Sequence, residues 1–305
     1  MGTSVGRVEL SYLQAVVIGA LQGVTELFPI SSLGHAVLVP AWIGGSWKHL
    51  VTEGAAKDSG SSPYLAFIVA LHCATALALL VYYWRVWVKV IGAFFQTLKT
   101  RKIETPTQRL AWLVVVATIP CGVLGLVLEH TLRTLFAKPL AAGIFLAING
   151  LVLIAGEQLS RRSAGPAHKA GRPEETEAIV TNRVTLPQAG FIGAAQTFAL
   201  LAGISRSGIT MVAGMLRGLD RESAVNFSFL LATPIIFAAG ILKLPSLTHP
   251  DAASIRGPIL VGAAVAFVAA LASVRFLTKY FEKRSLYPFA AYCLVAGIAS
   301  IIAFA

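Results

Sequence analysis

Residues 18–35 read IGALQGVTELFPISSLGH, and residues 192–210 read IGAAQTFALLAGISRSGIT. The two stretches align at a constant offset of 174 residues, which brings position 18 onto position 192. Identical residues then fall at matching places in both copies: Gln22 and Gln196, Ser31 and Ser205, Gly34 and Gly208. The alternative, two unrelated kinked helices with chance similarity, stays open, but the alignment favours an internal repeat.

Each copy is an apolar helix with an interruption. Pro29 lacks a backbone N–H and clashes with the preceding turn, so the segment 10–43 breaks there. The segment 186–216 breaks at 202–205, around Gly203. The arms on either side are shorter than the roughly 20 helical residues that cross a bilayer. We therefore predict two re-entrant broken-helix pairs.

The rest of the chain has the composition of a membrane protein. Hydrophobic residues make up 56 % and charged residues 13 %, against about 25 % charged in a typical soluble domain, and the mean hydropathy is +0.74. Six uncharged runs approach or reach the length of a membrane span. They are 64–84, 110–128, 140–156, 224–242, 257–274 and 287–305. The predicted fold is an all-α polytopic membrane protein.

Three segments follow from this pattern. Residues 1–157 form a first repeat with the broken pair 10–43 and three spans, and residues 186–305 form a second repeat with the broken pair 186–216 and three spans. The mixed-charge segment 158–185 is expected to be a flexible cytoplasmic linker without chemistry of its own. Because each half has an odd number of spans, three, the second repeat is inverted in the membrane relative to the first. Discontinuous helices in inverted halves indicate a site at the repeat interface.

Loop charges predict the orientation. The net charge is +11, and with six spans 17 Lys and Arg residues fall on one side and 7 on the other. Cytoplasmic loops collect Lys and Arg, so the richer side is predicted to be cytoplasmic, with both termini and the site facing outside. Cytoplasmic loops rich in Lys and Arg also explain the positive net charge of the chain, so no nucleic-acid partner is expected.

Glu26 and Arg206 are the strongly charged residues expected at membrane depth, where charge is costly and usually functional. Gln22 shares a helix face with Glu26, and the planar fork of Arg206 matches phosphate oxygens. A structural ion pair without chemistry is the open alternative. His72, alone on an apolar helix, is interpreted as a structural histidine.

Hydroxyl groups and helix starts surround these charges in the sequence. Ser31 and Ser32 follow Pro29, and His35 lies about one turn further on. Ser205, Ser207 and Thr210 surround the second break. Such serines can cap helix N-termini, and the free N–H groups there bind phosphate. The combined set suits binding and hydrolysis of a phosphate ester or anhydride.

These residues carry a resemblance to a known family. The stretch from Gln22 to Glu26, followed by PISSLGH at 29–35, resembles the first motif of bacterial undecaprenyl-diphosphatases of the bacitracin-resistance type. GISRSGIT at 203–210 resembles their second motif, and FSFLL at 227–231 resembles the stretch that follows it. The resemblance covers essentially the whole chain. Gln22 and Ala202 depart from it, where many members have Glu and Pro.

The resemblance implies an integral membrane enzyme that removes one phosphate from undecaprenyl diphosphate and so recycles the carrier lipid for peptidoglycan. It implies an inverted-repeat fold with a site open to the outer face of the cytoplasmic membrane. The implied catalytic residues are Glu26, Ser31, Ser32, His35 and Arg206. The implied substrate-binding residues are Gln22, Thr25, Gly203, Ser205, Ser207 and Thr210. A divalent cation, Mg or Ca, is also implied, with Glu26 as its candidate ligand.

Several alternatives stay open at this stage. The attacking group is a serine of the Ser31/Ser32 pair or an activated water, with His35 or Glu26 as general base. A lipid or anion transporter or flippase would use the same inverted-repeat architecture, and a non-catalytic paralogue is a third reading. Polyprenyl diphosphate and membrane lipid are the expected partners. Isoprenoid chain length and oligomeric state, including a homodimer, are open.

Overall fold

The computed structural model describes residues 10–47, 63–136, 138–163, 173–247 and 255–305. These residues contain helices and no strand. The principal helices are α1 (Tyr12–Thr25), α2 (Ser32–Ile43), α3 (Pro63–Tyr82), α4 (Trp84–Thr100), α5 (Pro106–Phe136), α6 (Pro139–Ser163), α7 (Pro173–Arg183), α8 (Leu186–Gln196), α9 (Arg206–Leu216), α10 (Arg221–Leu247), α11 (Arg256–Phe281) and α12 (Tyr287–Phe304).

Five helices in the described part are long and apolar enough to cross a membrane, and the bent pair α3–α4 raises the number to six. The five lie in α5, α6, α10, α11 and α12. Helices α1 and α2 are apolar but shorter. The prediction of an all-α polytopic membrane protein is therefore confirmed.

The segment 85–109 joins the predicted spans 64–84 and 110–128 and is counted as a loop in the charge balance, but most of it forms helix α4. The chain turns by 87° between α3 and α4. The turn lies at Tyr83, whose buried hydroxyl donates to Asn226 Oδ1 at 2.6 Å. This long-range hydrogen bond stabilises a bend that neither proline nor glycine marks in the sequence.

The segment 158–185, expected to be a flexible linker, also contains helix. Helix α6 continues to Ser163, and α7 covers Pro173–Arg183 and packs against α5 and α10. Val180 and Val184 are buried, so this segment adds to the core. Its many charged residues hide these apolar positions in the sequence. The part from 164 to 172 lies outside the described residues.

The halves of the chain pack across one another. Helix α1 lies on α11, α8 lies on α5, and the pairs α3–α10 and α6–α12 join the halves directly. Gly19 on α1 meets the backbone of Gly262, and Gly193 on α8 meets the backbone of Ala117, so closely that a Cβ atom would collide with a carbonyl group in both places. The aligned glycines at 19 and 193 therefore each allow a close helix–helix contact of the same kind.

Candidate active site

The first break runs from Glu26 to Ser31, between α1 and α2. Ser31 has a positive φ of 71°, and its Oγ accepts a hydrogen bond from Gly34 N at 3.1 Å, which caps α2. The helix interruption leaves the carbonyl groups of Phe28 and Pro29 without helical partners. They are backbone acceptors inside an apolar protein, where an unpaired group is costly.

The second break lies between α8 and α9. A short 3₁₀ turn at Thr197–Leu200 follows α8, and Ser205 caps α9 by accepting from Gly208 N at 3.1 Å. Gly203 has a φ of 116°, and a Cβ there would lie 2.5 Å from the Ala142 carbonyl oxygen. Only glycine meets both conditions without strain.

The two breaks hydrogen-bond to each other. Gly203 N donates to Ser31 Oγ at 3.2 Å. Ser207 Oγ donates to Phe28 O at 3.2 Å, and Ser205 Oγ reaches the same oxygen at 3.5 Å. In these hydrogen bonds, the first break supplies the acceptors, and the second break with the start of α9 supplies the donors. Three of the hydroxyls predicted to serve catalysis or substrate binding therefore join the breaks to each other.

Glu26 is the centre of the polar cluster. Its Oε1 accepts from Arg206 Nη2 at 2.6 Å, and its Oε2 accepts from Gln22 Nε2 at 3.0 Å and from Ser32 Oγ at 2.5 Å. The residue is 7 % exposed. Glu26 and Arg206, for which a structural ion pair is the open alternative, are paired across the two breaks, and Gln22 lies on the same helix face as Glu26.

Arg206 has donor capacity to spare. Its Nη2 is bound to Glu26, while Nη1 is buried and has no hydrogen-bond partner among the described residues. A buried, unpaired nitrogen of a cationic group is costly and therefore uncommon. An oxygen of a bound anion would satisfy it, which makes this side of the guanidinium a candidate phosphate contact.

The two adjacent serines have different environments. Ser31 Oγ accepts two backbone N–H groups, from Gly34 and Gly203, and is buried. Ser32 Oγ instead donates to the Glu26 carboxylate and is only half-buried. A hydroxyl that donates to a carboxylate has a base beside it, as an activated nucleophile requires. The geometry therefore favours Ser32 over Ser31.

The two histidines have different surroundings, and the catalytic role of His35 stays a prediction. In His35, Nδ1 lies 2.7 Å from Ser31 O and Nε2 lies 2.6 Å from Tyr292 Oη, so both ring nitrogens are engaged. His72 Nε2 lies 3.5 Å from Glu26 Oε2. His72, read from the sequence as structural, is thus the histidine next to the carboxylate.

The remaining predicted contacts are satisfied inside their own helices. Thr25 Oγ1 donates to Leu21 O at 2.8 Å, and Thr210 Oγ1 donates to Arg206 O at 2.6 Å. Both residues are buried. Because each hydroxyl donates to a carbonyl of its own helix, the structure gives no sign of a substrate contact there, and the roles of both residues in substrate binding stay predictions.

Two residues at the site were missed in the sequence. Asn149, in the predicted span 140–156, donates to Pro29 O at 2.9 Å and accepts from Ser205 N at 2.9 Å. An amide in the middle of an apolar span is a signal that could have identified it. Tyr292 stacks on His35 with ring centroids 5.6 Å apart, and no local pattern marks it.

The donor set at Glu26 does not fit a cation held by the protein alone. The described residues contain no group of three or more His, Cys, Asp or Glu side chains arranged for a metal ion. Both Glu26 oxygens already accept hydrogen bonds, one of them from a guanidinium. Mg²⁺ can be bound through one or two carboxylates plus substrate phosphates, so the cation remains a prediction tied to the substrate.

An apolar chamber of about 1260 Å³ adjoins the polar cluster. It lies among α2, α3, α4, α5, the 3₁₀ turn and α10. Leu33, His72 and Ala202 line it, and they also border Ser32, Glu26 and Gly203 respectively. The polar cluster therefore borders an apolar space.

A family model described as "Bacitracin resistance protein BacA" matches residues 15–299. The chain belongs to this BacA family. The match includes both breaks, and it confirms the resemblance recognised from their motifs. Together with the apolar helices, BacA membership makes the chain a multi-pass protein of the bacterial inner membrane.

Curated relatives are similar over nearly their whole length. "Undecaprenyl-diphosphatase 2" of Frankia alni is 54 % identical over 97 % of this chain and 99 % of its own. "Undecaprenyl-diphosphatase" of Mycolicibacterium paratuberculosis is 55 % identical over 96 % of this chain and 97 % of its own. "Undecaprenyl-diphosphatase 2" of Chromobacterium violaceum is 42 % identical, over 96 % and 99 %. All three relatives carry the name undecaprenyl-diphosphatase.

Proposed function

We propose that the chain is an integral membrane phosphatase that hydrolyses undecaprenyl diphosphate to undecaprenyl phosphate and inorganic phosphate. The product is the carrier lipid for peptidoglycan and other envelope polymers. One observation carries the proposal: Glu26, Ser32 and an Arg206 with a free buried nitrogen lie together beside an apolar chamber. The names of the relatives give the same activity.

The diphosphate binds at the two helix starts. Arg206 Nη1 supplies one donor, and helices α2 and α9 both begin at the breaks, so the positive ends of their dipoles face the same region. Arg206 holds the charge that develops on the transferred phosphoryl group. Such preorganised electrostatic stabilisation is usually the largest single contribution to catalysis.

Ser32 is the nucleophile in this proposal, and Glu26 is its base. The Ser32 hydroxyl gives its proton to Glu26 Oε2 while Oγ bonds to the terminal phosphorus, and the bridging P–O bond breaks. The lipid phosphate leaves with the bridging oxygen and takes the proton from Glu26. Water then attacks the phosphoserine, Glu26 accepts the water proton and returns it to Ser32, and inorganic phosphate departs.

The isoprenoid tail occupies the apolar chamber. Phe95, Val123 and Leu126 line it and are 63 %, 54 % and 65 % exposed, so the chamber opens along the apolar flank of the bundle. In a bilayer this flank faces lipid. A polyprenyl chain can therefore enter sideways from the membrane while its head group stays at Arg206.

The inverted-repeat architecture and the orientation belong to the same proposal. The equivalent close contacts of Gly19 and Gly193 support two related halves, and the cross-packing of α1 on α11 and α8 on α5 supports their pairing. The loop charges, 17 against 7, support a site open to the outer face with both termini outside. Any divalent cation reaches the site with the diphosphate.

The test is phosphate release from undecaprenyl diphosphate by purified protein in detergent, with and without EDTA. Arg206→Ala and Ser32→Ala are the matched variants, and thermal unfolding checks that each is folded. Release by the parent protein alone supports the proposal. A folded parent protein that releases no phosphate with Mg²⁺ or Ca²⁺, yet moves the lipid across liposome membranes, would establish the flippase instead.

A further inference from the structure

Asn149 lies between the two breaks on helix α6. It is fully buried, and its side-chain amide makes hydrogen bonds in two directions. Nδ2 donates to Pro29 O in the first break at 2.9 Å, and Oδ1 accepts from Ser205 N in the second break at 2.9 Å. One side chain from a third element therefore links both interruptions.

These two partners are close in sequence to the reacting groups. Pro29 lies between Glu26 and Ser32 in the first break, and Ser205 immediately precedes Arg206. The carbonyl of Pro29 has lost its helical donor, and the N–H of Ser205 lies ahead of the first turn of α9. Asn149 satisfies both groups, which no apolar residue of the same shape can do.

The spacing between the breaks determines how Arg206 meets Glu26 and Ser32. The other links between the breaks come from break residues themselves, such as Ser31 Oγ with Gly203 N and Ser207 Oγ with Phe28 O. Those links involve only the two breaks and the first turn of α9. Asn149 is attached to helix α6, which packs along α12, so it ties both breaks to a rigid element.

We propose that Asn149 is a positioning residue of the phosphatase reaction, which holds the Arg206 side of the site in register with Glu26 and Ser32. This inference rests on the proposed function. Asn149 touches none of the reacting groups, so it acts through the two backbone segments. A displacement of catalytic groups by about 1 Å can cost about 100-fold in rate, and loss of a supporting hydrogen-bonding residue about 10- to 100-fold.

The first experiment compares Asn149→Ala with the parent protein on undecaprenyl diphosphate. We expect kcat to fall about 10- to 100-fold and KM to change less than about threefold. Cys293→Ala is the matched control, because Cys293 Sγ lies 3.3 Å from Asn149 Nδ2 and only 3.9 Å from Pro29 O. It removes the two weaker contacts of the sulfur and should keep kcat within about twofold, since the bonds of Asn149 to Pro29 O and Ser205 N remain.

A double-mutant cycle separates positioning from general destabilisation. In an Arg206→Lys background, which lacks the planar fork, the Asn149→Ala change should lower kcat less than about threefold, because the register that it disturbs is already lost. An equal loss in both backgrounds, or unchanged kcat in the single variant, overturns the proposal. If Asn149→Ala does not fold, Asn149→Ser, which keeps one hydrogen-bonding group, is measured under the same criteria.

A binding measurement makes the inference independent of turnover. Inorganic diphosphate should raise the thermal midpoint of the parent protein and not that of Arg206→Ala. The rise should shrink in Asn149→Ala and persist in Cys293→Ala. A parent protein without phosphatase activity but with this pattern would overturn the proposed function and keep Asn149 as a positioning residue of the anion site. An undiminished rise in Asn149→Ala would overturn the inference.

Discussion

Two buried carboxylates, Glu26 and Glu157, each pair with arginine, yet their surroundings differ. Glu157 is fully buried and accepts from Arg161 Nε at 2.8 Å, from Arg221 Nε at 3.0 Å and Nη2 at 2.7 Å, and from Leu286 N at 3.2 Å. No buried nitrogen of these arginines lacks a partner in the described part of the chain. This cluster is complete in itself and joins α6, α10 and α12.

The cluster at Glu26 is incomplete by comparison. Arg206 keeps a buried nitrogen without a partner, the Ser32 hydroxyl points at the carboxylate, and His72 connects the pair to the apolar chamber. Burial and an ion pair are common to both clusters, so these features alone do not distinguish a site from a structural link. The spare donor of Arg206, beside a cavity, is the feature that distinguishes the Glu26 cluster as a candidate site.

The largest effect is expected at the incomplete cluster. Arg206→Ala and Glu26→Gln should each lower phosphate release from undecaprenyl diphosphate by at least about 10³-fold, because each removes charge stabilisation or the base. Initial rates measured on protein with a checked thermal midpoint test this. An equal loss of turnover in Glu157→Gln, at unchanged stability, would contradict the distinction between a catalytic cluster at Glu26 and a structural cluster at Glu157.

The next effect separates the adjacent serines. Ser32→Ala should lower turnover by at least about 100-fold with little change in stability, because it removes the nucleophile. Ser31→Ala should mainly lower the thermal midpoint, since it leaves the buried N–H groups of Gly34 and Gly203 without acceptors. Acid quenching followed by mass spectrometry should detect phosphate on Ser32 in the parent protein. Phosphate on Ser31 would reverse this assignment.

Glu157→Gln should have a moderate effect of a different kind. The substitution removes the charge that pairs with Arg161 and Arg221, so the free energy of unfolding should fall by about 1–3 kcal/mol, while kcat of the folded protein stays within about threefold. Thermal unfolding in detergent and steady-state kinetics on the same sample measure the two quantities. A large drop in kcat without loss of stability would assign Glu157 to the chemistry.

The smallest effect is expected at His72. His72→Leu should lower kcat/KM by about tenfold, because Glu26 loses a polar neighbour 3.5 Å away. His72→Gln, which keeps a hydrogen-bonding group at a similar reach, should recover most of the activity. Steady-state kinetics of both variants beside the parent protein test this, and equal activity of His72→Leu and the parent would make the histidine only part of the chamber wall.

Some of the site could be predicted from local patterns. Pro29 and the glycine at 203 mark the breaks, and Glu26 and Arg206 are conspicuous because charge inside apolar segments is costly. The different roles of Ser31 and Ser32 could not be predicted. Both follow Pro29, and their partners in the folded chain distinguish them: Gly203 N donates to Ser31, and Ser32 donates to Glu26. The catalytic role of His35 stays a prediction, and the contact of its ring with Tyr292 on α12 could not be predicted from spacing.

By itself, the sequence determined the membrane class, the helical content, the two interruptions and the buried acid and arginine. These follow from hydropathy, proline geometry and the cost of burying charge, which are properties of a segment and its immediate neighbours. The tertiary structure alone decided the bend at Tyr83, the approach of His72 to Glu26, the chamber and the bridge made by Asn149. Each depends on groups far apart in the chain, such as Tyr83 with Asn226 or Asn149 with Ser205, and packing brings such groups together without leaving a local pattern.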